Sequence, residues 1–439
     1  MSETRDPEHY ELRIDDDDKV SKIVVYFLWC DQGMANYVEV FEKGGSETVP
    51  VATALIDFGA SSMKGSDVLK ESFAPAVFTI LNRMLNLMHA EKPPVIDRLI
   101  ISHQDNDHWS LLRVLMTQAQ VERIPLKFGA VRWGGLRWDV EPKKLLKELE
   151  AHTIGGAANI FPWAGTYTDY VAETAPAKGE LFHFGDVAFR TLVVNVVSDS
   201  NSDSEVRNAS GAIIVIDFGP NGTYVLPGDA TVETLAWASG VLSRWEDATG
   251  KSPVRPCFAL SAAHHGARKT IVNGPGEDGD VFRIAKAFID QVRPYTVVSS
   301  AGARNTYAHP HGDVLYMLGA YVGTVNQKTH PIVFTNGVRR KYEQWYITED
   351  IYTTVTDVHI DPVWVADCIC ILMEGQKVET ILSEFKAPIS TDPKKKIEGD
   401  KWVSAIGDQP PLPPPVDPEG PAVRGPTKRL TARSAKSAG

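Results

Sequence analysis

The stretch Ile101-Ser102-His103-Gln104-Asp105-Asn106-Asp107-His108-Trp109 concentrates the residue types that metal chemistry needs. Two imidazoles and two carboxylates fall within six residues. Neutral imidazoles offer nitrogen lone pairs to a cation, while carboxylates donate oxygen and cancel its charge. A polar loop that only caps the next helix would explain one such residue, not the dense His-x-Asp-x-Asp-His pattern. The apolar run Leu99-Ile100-Ile101 stands directly before it and reads as a buried strand. The ligand types therefore sit where a strand leaves the core.

Three other segments repeat this design. Tyr224-Val225-Leu226 runs into Pro227-Gly228-Asp229, and Phe258-Ala259-Leu260 leads through Ser261-Ala262-Ala263 to His264-His265-Gly266. Residues 295–299 lead to Arg304-Asn305-Thr306-Tyr307-Ala308-His309-Pro310. Segments so far apart converge only if strand ends line one edge of the fold, where open α/β and sandwich architectures carry their chemistry.

In this order the motifs resemble the metallo-β-lactamase superfamily. Within it they are most similar to the soluble hydrolase domain of ComEC-type DNA-uptake proteins. Asp31-Gln32-Gly33, the run Ala54-Leu55-Ile56-Asp57-Phe58-Gly59 and Asn208-Ala209-Ser210 extend the resemblance, which covers roughly residues 20–345. It implies an α+β fold, a four-layer αββα sandwich, with a C-terminal extension. It also implies two divalent metal ions, Zn or Mn, with Mg a further option. His103 and Asp105 would hold one ion, Asp107 and His108 the other. Asp229 would bridge them, and His264 or His265 would complete the second site.

Three carboxylates against two divalent ions leave a charge of +1, which a hydroxide would cancel. Two cations lower the pKa of bound water from ~15.7 toward ~7, making it the expected nucleophile. Asp105 stands where many superfamily members have His, which hardens that site and widens the metal choice. Between Trp109 and Asp229 the histidines are His152 and His183, and neither lies in a ligand motif. His183 alternates with Phe182 and Phe184 as a strand residue would. The resemblance further implies that Asp107 serves catalysis as well as ligation and that His309 protonates the leaving oxygen or touches substrate. Asn305, Tyr307 and Lys269 would meet the substrate, while Asp57 and Asp31 would orient ligands.

The chain has 439 residues, 43% of them hydrophobic, enough to bury a full core. We expect an acidic leader at 1–19, a hydrolase domain at 20–345, a C-terminal α/β extension at 346–404 and a disordered Pro-rich basic tail at 405–439. Residues 66–89 carry apolar positions at helical spacing, and 377–385 read as a helix of the extension. The opening is charged, no apolar run approaches the ~18 residues that cross a bilayer, and four cysteines are too scattered for a disulfide framework. A free-standing cytoplasmic protein with no membrane contact is expected, with a possible protein partner at the tail. A net charge of -11 argues against a general nucleic-acid coat but leaves room for a nuclease that grips phosphate through metals. The expected activity is metal-dependent hydrolysis of phosphodiester bonds, on DNA or a small anionic substrate. The alternatives are a same-fold hydrolase of an ester, lactone or choline-phosphate compound, and a metal-stabilised binding or signalling protein. No P-loop, dinucleotide fingerprint or Gly-x-Ser-x-Gly elbow is present.

Overall fold

A computed structural model describes residues 20–28, 30, 33–60, 74–171, 182–267 and 280–300, with positions 314, 317 and 318 and the later strands named below. The chain opens as an antiparallel meander of β1 (Val20–Leu28), β2 (Ala35–Glu42) and β3 (Ala52–Phe58). Helix α1 (Ala74–His89) then crosses to β4 (Val95–Ile101), α2 (Ser110–Val121) to β5 (Lys127–Trp133), and α3 (Val140–His152) to β6 (Ile160–Pro162). These crossovers leave β3, β4, β5 and β6 parallel.

The second half repeats the scheme. β7 (Phe182–Phe184), β8 (Val187–Val193), β9 (Ile213–Asp217) and β10 (Thr223–Leu226) run antiparallel, with α4 (Asp203–Ala209) between β8 and β9. Helix α5 (Val232–Thr249) leads to β11 (Cys257–Ser261) and α6 (Asp280–Val292) to β12 (Val297–Ser299), both strands parallel to β10. β13 (Thr329–Asn336) and β14 (Lys341–Thr348) pair with each other.

Three separate apolar cores define the layers. The first joins α1, α2 and α3 to the outer face of the β1–β6 sheet, through residues such as Val77, Ile80, Leu81 and Met84 of α1 and Leu99 and Ile101 of β4. The second lies between α5, α6 and the outer face of the β7–β12 sheet. The third, with Val25, Ile56, Ile100, Phe189, Ile214 and Tyr224, fills the space between the sheets. Two sheets with helices on both outer faces make an αββα sandwich. β4 is buried along most of its length because helices cover one face and a sheet the other.

Strands from the extension join both sheets. β15 (Ile351–Thr353) adds parallel to β12, and β16 (Cys368–Glu374) adds antiparallel to β1, followed by β17 (Lys377–Glu384) and β18 (Val403–Ser404). The helix expected over 377–385 is therefore the strand β17. Its β-branched Val378, Thr380 and Ile381 suit a strand, and pairing with β16 outweighs a short helical spacing. The helix expected from residue 66 is described from Ala74, because 61–73 lie outside the described residues. Among the described residues, no helix is long and apolar enough to cross a membrane.

Candidate metal centre

The ends of β3, β4, β10 and β11 meet at one edge of the sandwich. Beyond β4 the chain makes a short 3-10 turn at Asn106–His108 before entering α2. Two glycines let this loop sit tightly. A Cβ on Gly59 would lie 2.4 Å from His108 N, and one on Gly33 would lie 1.9 Å from Gly59 O. Met34 N donates to Asp107 O at 2.9 Å, and Gly59 N donates to Met34 O at 3.1 Å. Side chains at either glycine would lift the loop from the strands beneath it.

The structure brings His103, Asp105, Asp107, His108, Asp229, His264 and His265 together. Asp107, His108, Asp229 and His265 each aim one ligand atom at a common region, all within 4.8 Å of one another. His108 Nε2 lies 3.1 Å and His265 Nε2 3.4 Å from Asp229 Oδ1, while His265 Nε2 is 3.6 Å from Asp107 Oδ2. The other Asp229 oxygen, Oδ2, faces His264 Nε2 at 3.4 Å and His103 Nε2 at 3.9 Å. His103 Nε2 is 4.0 Å from Asp105 Oδ2. Asp229 thus stands between two groups, one on each oxygen. Both imidazoles of the His264-His265 pair face it, His264 toward Oδ2 and His265 toward Oδ1. Left-handed backbone at both residues, with φ of 45° and 54°, splays the rings this way.

A cation fits the donors. The Nε2 atoms of His103, His108 and His265 and Asp229 Oδ1 are buried without an aligned hydrogen-bond partner, a costly arrangement unless something else satisfies them. Ligands about 2.1 Å from a tetrahedral ion sit roughly 3.4 Å apart, close to the spacings around Asp229 Oδ1.

The ligands are held from behind. Asp57, at a left-handed φ of 56° on β3, accepts from Ser102 N at 2.7 Å and Ser102 Oγ at 2.8 Å. Its Oδ2 is also 2.8 Å from His108 Nδ1, which fixes that ring with Nε2 inward. Ser300 O accepts from His265 Nδ1 at 2.7 Å, and Ser102 Oγ lies 3.1 Å from His103 Nδ1. Gln104 accepts from Asp139 N at 2.6 Å and donates to Leu136 O at 2.9 Å, tying the loop to the start of α3. Asp57 was legible in the sequence, whereas Ser102, Gln104 and the Ser300 carbonyl were missed. Ser102 adjoins His103 and could have been flagged, but a backbone carbonyl leaves no sequence signal.

The electrostatics follow the same grouping. Burial, reinforced by the neighbouring His108, pushes His103 down to about 3, so it is neutral at ordinary pH. For His108 and His265, burial opposes the charge but Asp229 and its neighbouring carboxylates prevail and raise both. Asp229 and Asp107 are correspondingly lowered by facing histidines despite their burial. Asp105 behaves differently: burial, then the charge of Asp107, pushes it up to about 6.

Asp105 is also held by a residue the sequence reading passed over. Arg207 Nε approaches Asp105 Oδ1 at 2.9 Å, and its other arm donates to Asp139 Oδ2 at 3.1 Å. With its amide nitrogen turned toward these acceptors, Asn208 donates to Asp105 Oδ2 at 3.0 Å and to Ser204 O at 3.2 Å. The Asn208-Ala209-Ser210 segment noted in the sequence therefore packs beside Asp105. His152, at the end of α3, and His183, in β7, lie outside the cluster. Asp31, Lys269, Asn305, Tyr307 and His309 lie outside the described residues.

The chain forms the αββα sandwich, with ligand types at its strand ends, that the sequence resemblance implied. In sequence it is similar to ComE operon protein 3 of Bacillus subtilis (strain 168), 25% identical over an alignment of 305 positions that covers 67% of this chain. The match spans 32% of that relative's length. No family model matches the chain. Similar solved structures include the metallo-β-lactamase fold protein YhfI from Bacillus subtilis, at 12% identity and a TM-score of 0.36, covering 82% of this chain and 99% of that one. A diphosphatase from the PhnP family has 8% identity and a TM-score of 0.33, covering 74% and 100%. A long form RNase Z from yeast has 8% identity and a TM-score of 0.32, covering 69% and 40%.

Proposed function

We propose that this chain is a metal-dependent hydrolase that cleaves phosphodiester bonds. The convergence of Asp107, His108, Asp229 and His265 on one region, with buried nitrogens unpartnered, carries the reading. We assign a pair of divalent cations, Zn or Mn, to the two sides of Asp229. Bound there, they would supply Lewis acidity and an activated water. The protein's part is positioning. Asp57 and the Ser300 carbonyl hold His108 and His265 with Nε2 inward, and Ser102 braces His103. The acid role expected of His309 and the substrate roles of Lys269, Asn305 and Tyr307 rest on the sequence motifs. The phosphodiester preference rests on the resemblance to ComEC-type proteins, with DNA as the first substrate to try.

A cavity of about 460 Å³ beside Asp105 favours a second reading. Trp109, Asp139, Glu141 and Arg207 are among its lining residues, so carboxylates outnumber the cation. Such a wall repels a polyanionic backbone and suits a small ester carrying a positive group, such as a choline-phosphate compound. One panel separates the readings: DNA, a chromogenic phosphodiester, a lactone and a choline-phosphate ester, each assayed with Mn or Zn. Phosphodiester turnover that EDTA abolishes and Asp107→Asn removes is expected. Metal bound with no turnover on any substrate would point to a binding protein instead.

A further inference from the structure

The two sides of Asp229 are not built alike. On the Oδ1 side, His108 and His265 lie 3.1 and 3.4 Å from the shared oxygen. On the Oδ2 side, His264 lies 3.4 Å away, but His103 stands back at 3.9 Å, and 4.0 Å from Asp105. Both Asp105 oxygens are engaged by α4 instead, Oδ1 by Arg207 at 2.9 Å and Oδ2 by Asn208 at 3.0 Å. Among the described residues, Arg207 is the one arginine or lysine paired with a carboxylate of the cluster.

We propose that Arg207 makes the two cation positions unequal by competing with metal for Asp105. This rests on the metal-centre reading above. The position at Asp107, His108, Asp229 and His265 loads first and tightly. The position on the His103 side fills only as Arg207 gives up Asp105.

Three physical facts support this. A guanidinium is charged at every accessible pH, so it repels a cation arriving at the carboxylate it holds. It is also held in place, because its second arm is anchored on Asp139 at 3.1 Å. Arg207 and Asp105 are nevertheless 26% and 22% exposed, so the pair is able to part without opening the core. Asn208, being neutral, orients Asp105 without opposing a metal.

The test is an equilibrium titration of the whole 439-residue chain, stripped with EDTA, with Mn(II), followed by calorimetry and by electron paramagnetic resonance. The spectrum separates isolated from spin-coupled ions. The parent protein should bind its first ion at least about tenfold more tightly than its second, within the range that ligand-holding neighbours command. Arg207→Met should tighten the second step alone by about tenfold and bring coupled ions in at lower metal. Arg207→Lys, which keeps the charge, should retain most of the gap. An unchanged first step in the Met variant reports an intact centre. Equal steps in the parent would overturn the proposal, as would a second step that Arg207→Met weakens or leaves alone. So would loss of both steps in the Met variant, since Arg207 would then be a structural brace. A parent protein that binds no Mn at all would overturn the metal centre itself, a different result.

Discussion

The two halves of the centre differ in who satisfies the ligands. On the Asp107 side, every imidazole has one nitrogen braced and the other pointed at an unfilled demand, as His108 does between Asp57 and Asp229. On the Asp105 side, His103 Nε2 is likewise without an aligned partner, but the carboxylate already has protein partners, Arg207 and Asn208. A site with unmet donors is prepared for a cation, and a site whose carboxylate is already engaged must first release it. Asp229 couples the two because each of its oxygens serves a different half.

The comparison can be broken most directly at Asp229. Asp229→Asn should lower metal content to background and turnover by roughly 10³-fold or more, since it removes the charge both halves share. Elemental analysis beside the phosphodiester assay reads both. Next come the paired changes Asp107→Asn and Asp105→Asn. We expect the first to cost at least about tenfold more metal affinity than the second. Equal losses would erase the distinction between the halves.

A smaller effect concerns the loop's footing. Gly59→Ala would set a methyl group 2.4 Å from the His108 backbone nitrogen. That overpacking should destabilise the fold by about 1–3 kcal/mol in denaturant melts and weaken metal binding.

Two pH effects sharpen the comparison further. His108 and His265 are raised, so in the stripped protein their rings bind protons more tightly and a metal must compete with those protons. Metal affinity should therefore climb as pH rises, with proton release measurable by calorimetry in buffers of different ionisation enthalpy. Asp105 shifts upward from 3.8 to about 6 in the folded protein. A raised pKa contributes stability fully present below the unfolded value and lost as pH rises through the folded one. In EDTA, the parent should thus lose melting temperature relative to Asp105→Asn between about pH 4 and pH 6–7. A flat difference across that window would mean Asp105 is not the strained member.

Much of this was legible in the chain. The apolar runs before His103, Asp229 and His264 are the strands β4, β10 and β11, and their ends meet as a strand-edge site requires. Alternation and apolar runs are strong signals when strands are buried on both faces. Residues 377–384 misled because an eight-residue segment holds too few turns to tell helix from strand, and its β16 partner is a nonlocal fact. Arg207 was invisible for a similar reason. Nothing local marks an arginine on α4 that reaches a carboxylate from the loop after β4, and only the packed sheets bring them together.

His103, Asp105, Asp107 and His108 come from the first sheet, while Asp229, His264 and His265 come from the second. An ion at this edge would act as a rivet through both layers, and its removal would let them shear. Amides of β4 and β10 should then exchange faster together on chelation, so that mechanical cohesion and chemical readiness fail as one.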